Sequence, residues 1–238
     1  MIIDFHGHIG KDLDGGVLNL EDLKKSMDRW KINKTVVFPF SGNHQEMIKE
    51  SLEILERSKE INWIIPFLRF SPKEILKEEL ISLLDKDFKG IKLHPKGEDF
   101  EVDDQDFLWI YELCEEKSIP ILIHSGTDHK GSHPKKILNI ARKFPELKII
   151  MAHFFGNGLK IMEEASGYKN LYSDISIHAR TLRINQAVYE YSFKRLVFGS
   201  DVPYDSQGVA LLKINESNLK EEDKELILHK NAEDILNL

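Results

Sequence analysis

Residues 1–8 read Met-Ile-Ile-Asp-Phe-His-Gly-His, an apolar start that leads into Asp4, His6 and His8. Successive side chains of a β-strand point to opposite faces, so these three side chains are expected to share one face. Two imidazoles placed two residues apart on one face can bind a single metal ion. Two ordinary surface histidines are an equally good interpretation of this stretch alone, because short motifs also match by chance.

Seven further apolar runs follow the first at near-regular spacing. The eight predicted strands are Met1–His8, Lys34–Phe40, Asn62–Phe70, Phe88–His94, Pro120–Ser125, Leu147–His153, Asn170–Ser176 and Arg195–Ser200. Most of these runs are continuously apolar, as expected of parallel strands that are covered on both faces.

Segments with helical periodicity separate the strands. They are predicted at Leu18–Trp30, Gln45–Ile61, from Ser71-Pro72 onward, Phe107–Glu116, His133-Pro134 to Phe144, Gly158–Ala165, Ile184–Tyr191, near Asn218 and after Asn231. Alternating strands and helices imply a parallel sheet with right-handed crossovers, and eight repeats predict an α/β fold of the (β/α)₈ TIM-barrel type. An open doubly wound sheet would need a Gly-rich turn after its first strand, where this chain has His6-Gly7-His8.

Composition limits the class of protein. The 238 residues fit a single domain spanning residues 1–238, and 41% hydrophobic with 31% charged residues is typical of a soluble globular chain. The net charge of −7 argues against binding of nucleic acid as a main activity. No apolar run reaches the roughly 20 residues of a membrane helix, and no signal-peptide pattern is evident, so a cytoplasmic location is expected. Cys114 is the single cysteine, which excludes an internal disulfide and a Cys-rich zinc cluster.

Functional side chains of a TIM barrel lie at the C-terminal ends of its strands. The predicted strand ends carry five of the ten histidines and one aspartate, namely His6, His8, His94, His124, His153 and Asp201. Imidazole and carboxylate ligands suit zinc and related first-row ions, and a bound divalent ion lowers the pKa of water towards about 7. Together these positions predict a metal site at the mouth of the barrel.

These motifs resemble the amidohydrolase superfamily, and within it the Amidohydro_2 branch. The matching elements are Asp4-x-His6-x-His8, the Gly90 to Pro95 run, His124 before Ser125-Gly126, His153, Gly199-Ser200-Asp201-x-Pro203 and Asn231 to Leu236. One departure is Phe154-Phe155-Gly156 after His153, where the branch usually has x-Gly-Gly.

The resemblance implies a role for each of these residues. His6, His8, His124 and Asp201 would bind the metal, and Asp201 or His153 would handle the proton of the reacting water. Asp4 would accept a hydrogen bond that orients a histidine. The expected cofactor is one Zn²⁺, with Mn²⁺ or Fe²⁺ as alternatives.

Three further residues are predicted to bind substrate, namely Lys92, His94 and Arg69. Lys92 and His94 share a strand face that points into the barrel or its mouth. Lys92 could be carboxylated and bridge two metals, bind a substrate carboxylate as a cation, or pair with Asp174. We expect it to be unmodified, because the branch is mostly mononuclear. Arg69 is a candidate anion clamp, with an outward salt bridge as its alternative.

The predicted function is therefore hydrolysis of an amide, cyclic amide or lactone in a small-molecule substrate. Non-oxidative decarboxylation is the alternative, although decarboxylases of the branch are generally longer. A third interpretation is a TatD-type nuclease, which would carry a glutamate on the fourth strand where this chain has Lys92 and His94. The sequence leaves a homo-oligomer open and predicts neither a nucleic-acid nor a membrane partner.

Overall fold

The computed structural model describes residues 1–12, 15–158 and 160–238. Its strands are β1 (Ile3–Lys11), β2 (Val17–Leu18), β3 (Lys34–Pro39), β4 (Ile64–Arg69), β5 (Gly90–Leu93), β6 (Ile121–Ile123), β7 (Ile149–Met151), β8 (Leu171–Asp174) and β9 (Leu196–Val197). All of them form one sheet in the order β2-β1-β3-β4-β5-β6-β7-β8-β9. Every pairing is parallel except that of the short arm β2 with β1.

Main-chain hydrogen bonds join the two ends of this curled sheet. The amide of Phe5 donates to the carbonyl of Phe198 at 2.8 Å, and the amide of Asp201 donates to the carbonyl of His6 at 2.9 Å. The amide of His8 in turn donates to the carbonyl of Val202 at 2.9 Å. The segment that follows β9 is thereby hydrogen-bonded to the part of β1 that carries His6 and His8.

The interior of the barrel is an apolar layer contributed by nearly every strand. It contains Ile3, Phe5, Val36, Phe38, Ile65, Phe67, Leu122, Ile150, Ala152, Tyr172 and Val197, with Ala232, Ile235 and Leu236 of the last helix packed against it. In β5 the inward position is taken by Lys92, which is fully buried. The polar site thus lies on a packed apolar floor, as expected for a fold in which the interior is not a pore.

Helices cover the outside of the sheet. They are α1 (Leu20–Trp30), α2 (His44–Ser58), α3 (Lys77–Leu84), α4 (Leu108–Glu116), α5 (Pro134–Lys143), α6 (Ile161–Ser166), α7 (Thr181–Tyr189), α8 (Gln207–Asn215), α9 (Glu221–Glu225) and α10 (Asn231–Leu236). A π-helical turn, Leu226–Lys230, joins α9 to α10, so the two predicted C-terminal helices run on without a break. No helix in these ranges combines the length and apolar character needed to cross a membrane.

The predicted alternation of strands and helices is confirmed, but the structure differs from the prediction at several helices, among them two helix starts and one helix that was not predicted. The helix predicted from Ser71-Pro72 begins at Lys77, because the Ser71 carbonyl closes a turn by accepting from the amides of Glu74 and Ile75. Helix α8, which the Ser206 side chain caps, was not predicted. Of the segment predicted as Gly158–Ala165, residue 159 lies outside the described residues and the helix begins at Ile161.

Candidate metal centre

A cleft of about 610 Å³ opens at the C-terminal ends of the barrel strands. It is lined by all eight residues predicted for the site: His6, His8, Arg69, Lys92, His94, His124, His153 and Asp201. Ile177 and Tyr204, both partly exposed, also line the cleft. The fold therefore gathers the predicted set around one concave surface.

Strand β1 does not present Asp4 on the same face as the histidines, so that prediction is wrong. The register between β1 and β3 shifts between Asp4 and Gly7, as in a β-bulge, and a bulge changes the face on which later residues lie. Asp4 accepts from the Ser200 amide at 2.9 Å, the Ser200 hydroxyl at 2.6 Å and the Gln207 amide at 2.8 Å. Its contact with His6 is to the main-chain amide, at 3.2 Å, so Asp4 orients the backbone and not an imidazole ring.

Asp201 is the centre of the site. Its Oδ1 lies 3.0 Å from Nε2 of His6 and 3.1 Å from Nε2 of His8, and its Oδ2 lies 3.8 Å from Nδ1 of His153. Burial alone would raise the pKa of Asp201, but the neighbouring histidines hold it well below its ordinary value. An ionised carboxylate thus faces several ring nitrogens, which is the donor chemistry of a divalent-metal site.

The ring of His6 is held by Asp174, at the end of β8. His6 Nδ1 lies 2.7 Å from Asp174 Oδ2, and both side chains are fully buried. Burial and Lys92 oppose protonation of His6, yet the carboxylates of Asp201 and Asp174 outweigh them and raise its pKa. A histidine that donates Nδ1–H to a carboxylate and keeps Nε2 for a metal is the usual supported ligand, so His6 fits a divalent ion well.

The other histidines differ in how well their second ring nitrogen is supported. Burial lowers the pKa of His8 to about 3, so its ring is neutral, but its buried Nδ1 has no hydrogen-bond partner among the described residues. The Nδ1 of His124 lies 2.9 Å from Nε2 of His153, and burial lowers the pKa of His124 well below its ordinary value. His124 therefore has a hydrogen-bond partner at Nδ1, as His6 does, whereas His8 has none among the described residues.

His153 begins an unusual backbone turn after β7. Residues 153–157 all have positive φ, including φ of 47° at Phe154 and 58° at Phe155, a left-handed region that costs L-residues roughly 1–2 kcal/mol each. Both phenylalanine side chains are buried in the core. Phe155, which stands where the x-Gly-Gly pattern has its first glycine, is thus tolerated because apolar burial of both phenylalanines anchors the turn.

The residues whose ligand atoms lie closest together are not all members of the predicted ligand set. His6, His153 and Asp201 are the one group, within residues 1–12, 15–158 and 160–238, whose ligand atoms all lie within 4.8 Å of one another. His94 stacks on His124 with ring centroids 3.8 Å apart, which places both rings on one wall of the cleft. His6 and Asp201 belong to both sets. The sets differ in whether the remaining ligands are His8 and His124, as predicted, or His153.

Lys92 is buried at the base of the cleft. Its Nζ lies 3.1 Å from Nε2 of His6 and 5.0 Å from the centre of the Phe38 ring, and burial lowers the pKa of Lys92 to about 8. The expected alternative of a pair with Asp174 is not seen in the described part of the chain, because both Asp174 oxygens bind other groups. Among the residues that the structure describes, no carboxylate therefore forms a salt bridge with the ammonium group of Lys92.

Arg69 is more constrained than an open anion clamp. Its guanidinium donates to Glu98 Oε1 from Nε at 3.0 Å and from Nη2 at 2.9 Å, and to the Pro39 carbonyl at 3.0 Å. Glu98 also accepts from the amide of His94, so the ion pair joins the C-terminal ends of β3 and β4 to the segment after β5. Glu98 was not predicted as a site residue, because nothing in the local pattern of a loop glutamate shows its buried partner.

The family model described as Amidohydrolase, Amidohydro_2, matches residues 3–238. No curated protein sequence matches the chain.

Three solved structures share the fold over almost their whole length. A 2,6-dihydroxybenzoate decarboxylase from Rhizobium aligns with a TM-score of 0.80 at 15% identity, covering 99% of this chain and 98% of that one. A dihydroxybenzoic acid decarboxylase from Polaromonas, with bound manganese and the inhibitor 2-nitroresorcinol, aligns with a TM-score of 0.81 at 14% identity, covering 100% and 97%. A Pseudomonas putida protein provisionally assigned as a 2-pyrone-4,6-dicarboxylic acid hydrolase aligns with a TM-score of 0.78 at 14% identity, covering 99% and 97%. At these identities the likeness establishes the TIM-barrel fold and leaves the reaction open.

Proposed function

The chain belongs to the amidohydrolase family, and from that premise we propose that it is a metal-dependent hydrolase of a small amide, cyclic amide or lactone. The observation that carries the proposal is the ionised carboxylate of Asp201 within 3.1 Å of ring nitrogens from two histidines, His6 and His8. When bound there, a divalent ion would lower the pKa of a water molecule and polarise the bond to be cleaved.

We propose His6, His8, His124 and Asp201 as the residues that hold the ion. His6 and His124 each have Nδ1 within hydrogen-bond distance of a partner, Asp174 and His153, which leaves Nε2 for a metal. One Zn²⁺ per chain is the expected content, and the manganese in the Polaromonas relative keeps Mn²⁺ as an alternative. An unmodified Lys92 is expected, because no second ion is needed for this scheme.

The chain's own groups would handle the proton and the substrate. Asp201, held ionised by its histidines, can accept a proton from the attacking water and return it to the leaving group. His153 is a neutral imidazole because burial lowers its pKa to about 4, and its Nδ1 lies 3.8 Å from Asp201 Oδ2, where it can stabilise the charge of that carboxylate. The cation of Lys92 lies beside this group, where it can stabilise negative charge that develops on a carbonyl or carboxylate oxygen.

Decarboxylation is the second candidate, because two of the structural relatives described above are decarboxylases. Chain length does not separate the candidates, since the alignment covers 98% of the Rhizobium enzyme. The cleft volume of about 610 Å³ suits a small molecule in either case.

A cytoplasmic location and assembly into a homo-oligomer stay predictions.

A substrate panel tests which reaction occurs. The protein with bound zinc or manganese is incubated with lactones, amides and aromatic acids while acid formation and CO₂ release are followed together. We expect acid formation from a lactone or amide without CO₂, because hydrolysis of either bond yields a carboxylic acid and releases no CO₂. Release of CO₂ from an aromatic acid, with no hydrolysis, would establish the second candidate.

Metal content of two alanine variants tests the ligand set. His124→Ala should lose metal. His153→Ala should still take up about one ion per chain, although with weaker affinity because His124 loses its Nδ1 partner, and should lose turnover, because His153 is proposed to lie beyond the ligands. His229→Ala, a histidine bonded to Glu233 on the last helices, is the control and should change neither property. Metal retained in His124→Ala and lost in His153→Ala would assign the closely grouped set of His6, His153 and Asp201 instead.

A further inference from the structure

A chain of hydrogen bonds runs from Asp174 through Ser176 to two histidines of the cleft. The Ser176 hydroxyl lies 2.6 Å from Asp174 Oδ1 and 2.9 Å from Nδ1 of His153. Nε2 of His153 lies 2.9 Å from Nδ1 of His124. Asp174, Ser176 and His153 are buried, and His124 is partly buried at the wall of the cleft.

The donor and the acceptor of every hydrogen bond in this chain of bonds follow from the carboxylate of Asp174 at one end of it. Asp174 Oδ1 also accepts from the main-chain amides of His153 and Ser176, each at 2.9 Å, so the carboxylate is ionised and can only accept. The single hydroxyl proton of Ser176 must therefore point to Asp174. The lone pair of that hydroxyl is then left for His153, so Nδ1 of His153 carries a proton and donates it.

The same reasoning passes from one imidazole to the next. A neutral ring has one protonated and one bare nitrogen, so a proton on Nδ1 of His153 leaves Nε2 as an acceptor. His124 must then donate through Nδ1, and its own Nε2 is the bare nitrogen. This series of hydrogen bonds thus links the ionised carboxylate of Asp174, on β8, to a bare Nε2 on His124, after β6.

We propose that Ser176 is a positioning residue that fixes the tautomers of His153 and His124 through this chain and so leaves Nε2 of His124 free to bind a metal. The last part rests on the proposed function, whereas the tautomers themselves do not. Ser176 touches no reacting atom in this scheme; it acts on the site through two imidazoles. No serine in a mere packing role would determine which nitrogen of a histidine two bonds away carries the proton.

Ser173, which lies on β8 three residues before Ser176, provides a matched control. Ser173 is also fully buried, but its hydroxyl donates to the Met151 carbonyl at 2.9 Å and accepts from the Phe155 amide at 3.0 Å. Ser173→Ala therefore removes a buried hydroxyl of β8 without touching the imidazole chain. Ser176→Thr retains a hydroxyl and serves as the conservative variant.

The test is a ¹⁵N–¹H spectrum of the imidazole side chains in the metal-free full-length protein, followed by titration with Zn²⁺. In the wild type, Ser176→Thr and Ser173→Ala, we expect both His153 and His124 to carry their proton on Nδ1. In Ser176→Ala the ring of His153 loses its acceptor for Nδ1–H, so its proton moves to Nε2 and His124 changes tautomer with it. Zn²⁺ affinity of Ser176→Ala should fall by about 10–100-fold, the usual effect of removing a partner behind the ligands, and Ser176→Thr should restore it.

Two outcomes separate failure of this inference from failure of the proposed function. An imidazole spectrum of Ser176→Ala that matches the wild type, or the same change in Ser173→Ala, would overturn the positioning role. A changed spectrum with unaltered Zn²⁺ affinity would support the tautomer assignment and overturn His124 as a metal ligand.

Discussion

Asp201→Asn is expected to abolish both metal binding and turnover. Asparagine keeps the size of the side chain but offers a neutral oxygen and an NH₂ group in place of a carboxylate that faces Nε2 of His6 and His8. The variant loses the anionic ligand and the proton acceptor together. We expect kcat to fall by at least about 10³-fold, within the range of general acid–base catalysis, and the purified variant to contain much less than one metal ion per chain.

Asp205→Asn is the matched control for this prediction. Asp205 follows in the same segment, and its carboxylate lies 3.6 Å from Nζ of Lys213, away from the cleft. Metal analysis and turnover of this variant should match the wild type. An Asp201→Asn variant that keeps one ion per chain and most of its turnover would refute the central place given to this residue.

The barrel and its ring of strand-end histidines could be predicted because both follow from local patterns. Continuous apolar runs mark covered parallel strands, and the fold then brings each strand's last residue to one mouth. His6 and Asp201 are 195 positions apart in the sequence, yet this rule alone places them side by side. Such positions are predictable because the chain's topology, and not any single contact, brings them together.

The partners behind those histidines were not predictable in the same way. A single extra residue in β1 sends Asp4 to the outer face, and strict alternation along a strand gives no sign of a bulge. The residue that orients His6 is Asp174, which the sequence marks only as one of several polar residues at the end of β8. Ser71-Pro72 likewise matches a helix start, but a turn closed by the Ser71 carbonyl competes successfully with it.

Glu98→Ala is expected to have the largest effect on stability. Glu98 is the only carboxylate in contact with the buried guanidinium of Arg69 within the described residues, and the two side chains are almost fully excluded from solvent. Removing one member of a buried ion pair leaves the other charge uncompensated, which typically costs about 3–5 kcal/mol. The free energy of unfolding, measured from urea titration followed by circular dichroism, should fall by that amount.

Two comparison variants show whether burial of the charge is the cause. Asp99, the residue after Glu98, forms an exposed pair with Lys73 in which Nζ and Oδ2 are 2.6 Å apart, and Asp99→Asn should cost at most about 1 kcal/mol. Replacing both buried partners, as Arg69→Met with Glu98→Leu, removes the charge that Glu98→Ala leaves behind. The double variant should therefore be more stable than Glu98→Ala alone. Losing one partner leaves an unpaired charge in the interior, whereas replacing both partners with apolar residues leaves none. A double variant that loses as much stability as the sum of its single changes would show that the hydrogen bonds to the Pro39 carbonyl and the His94 amide, and not charge burial, dominate at this position.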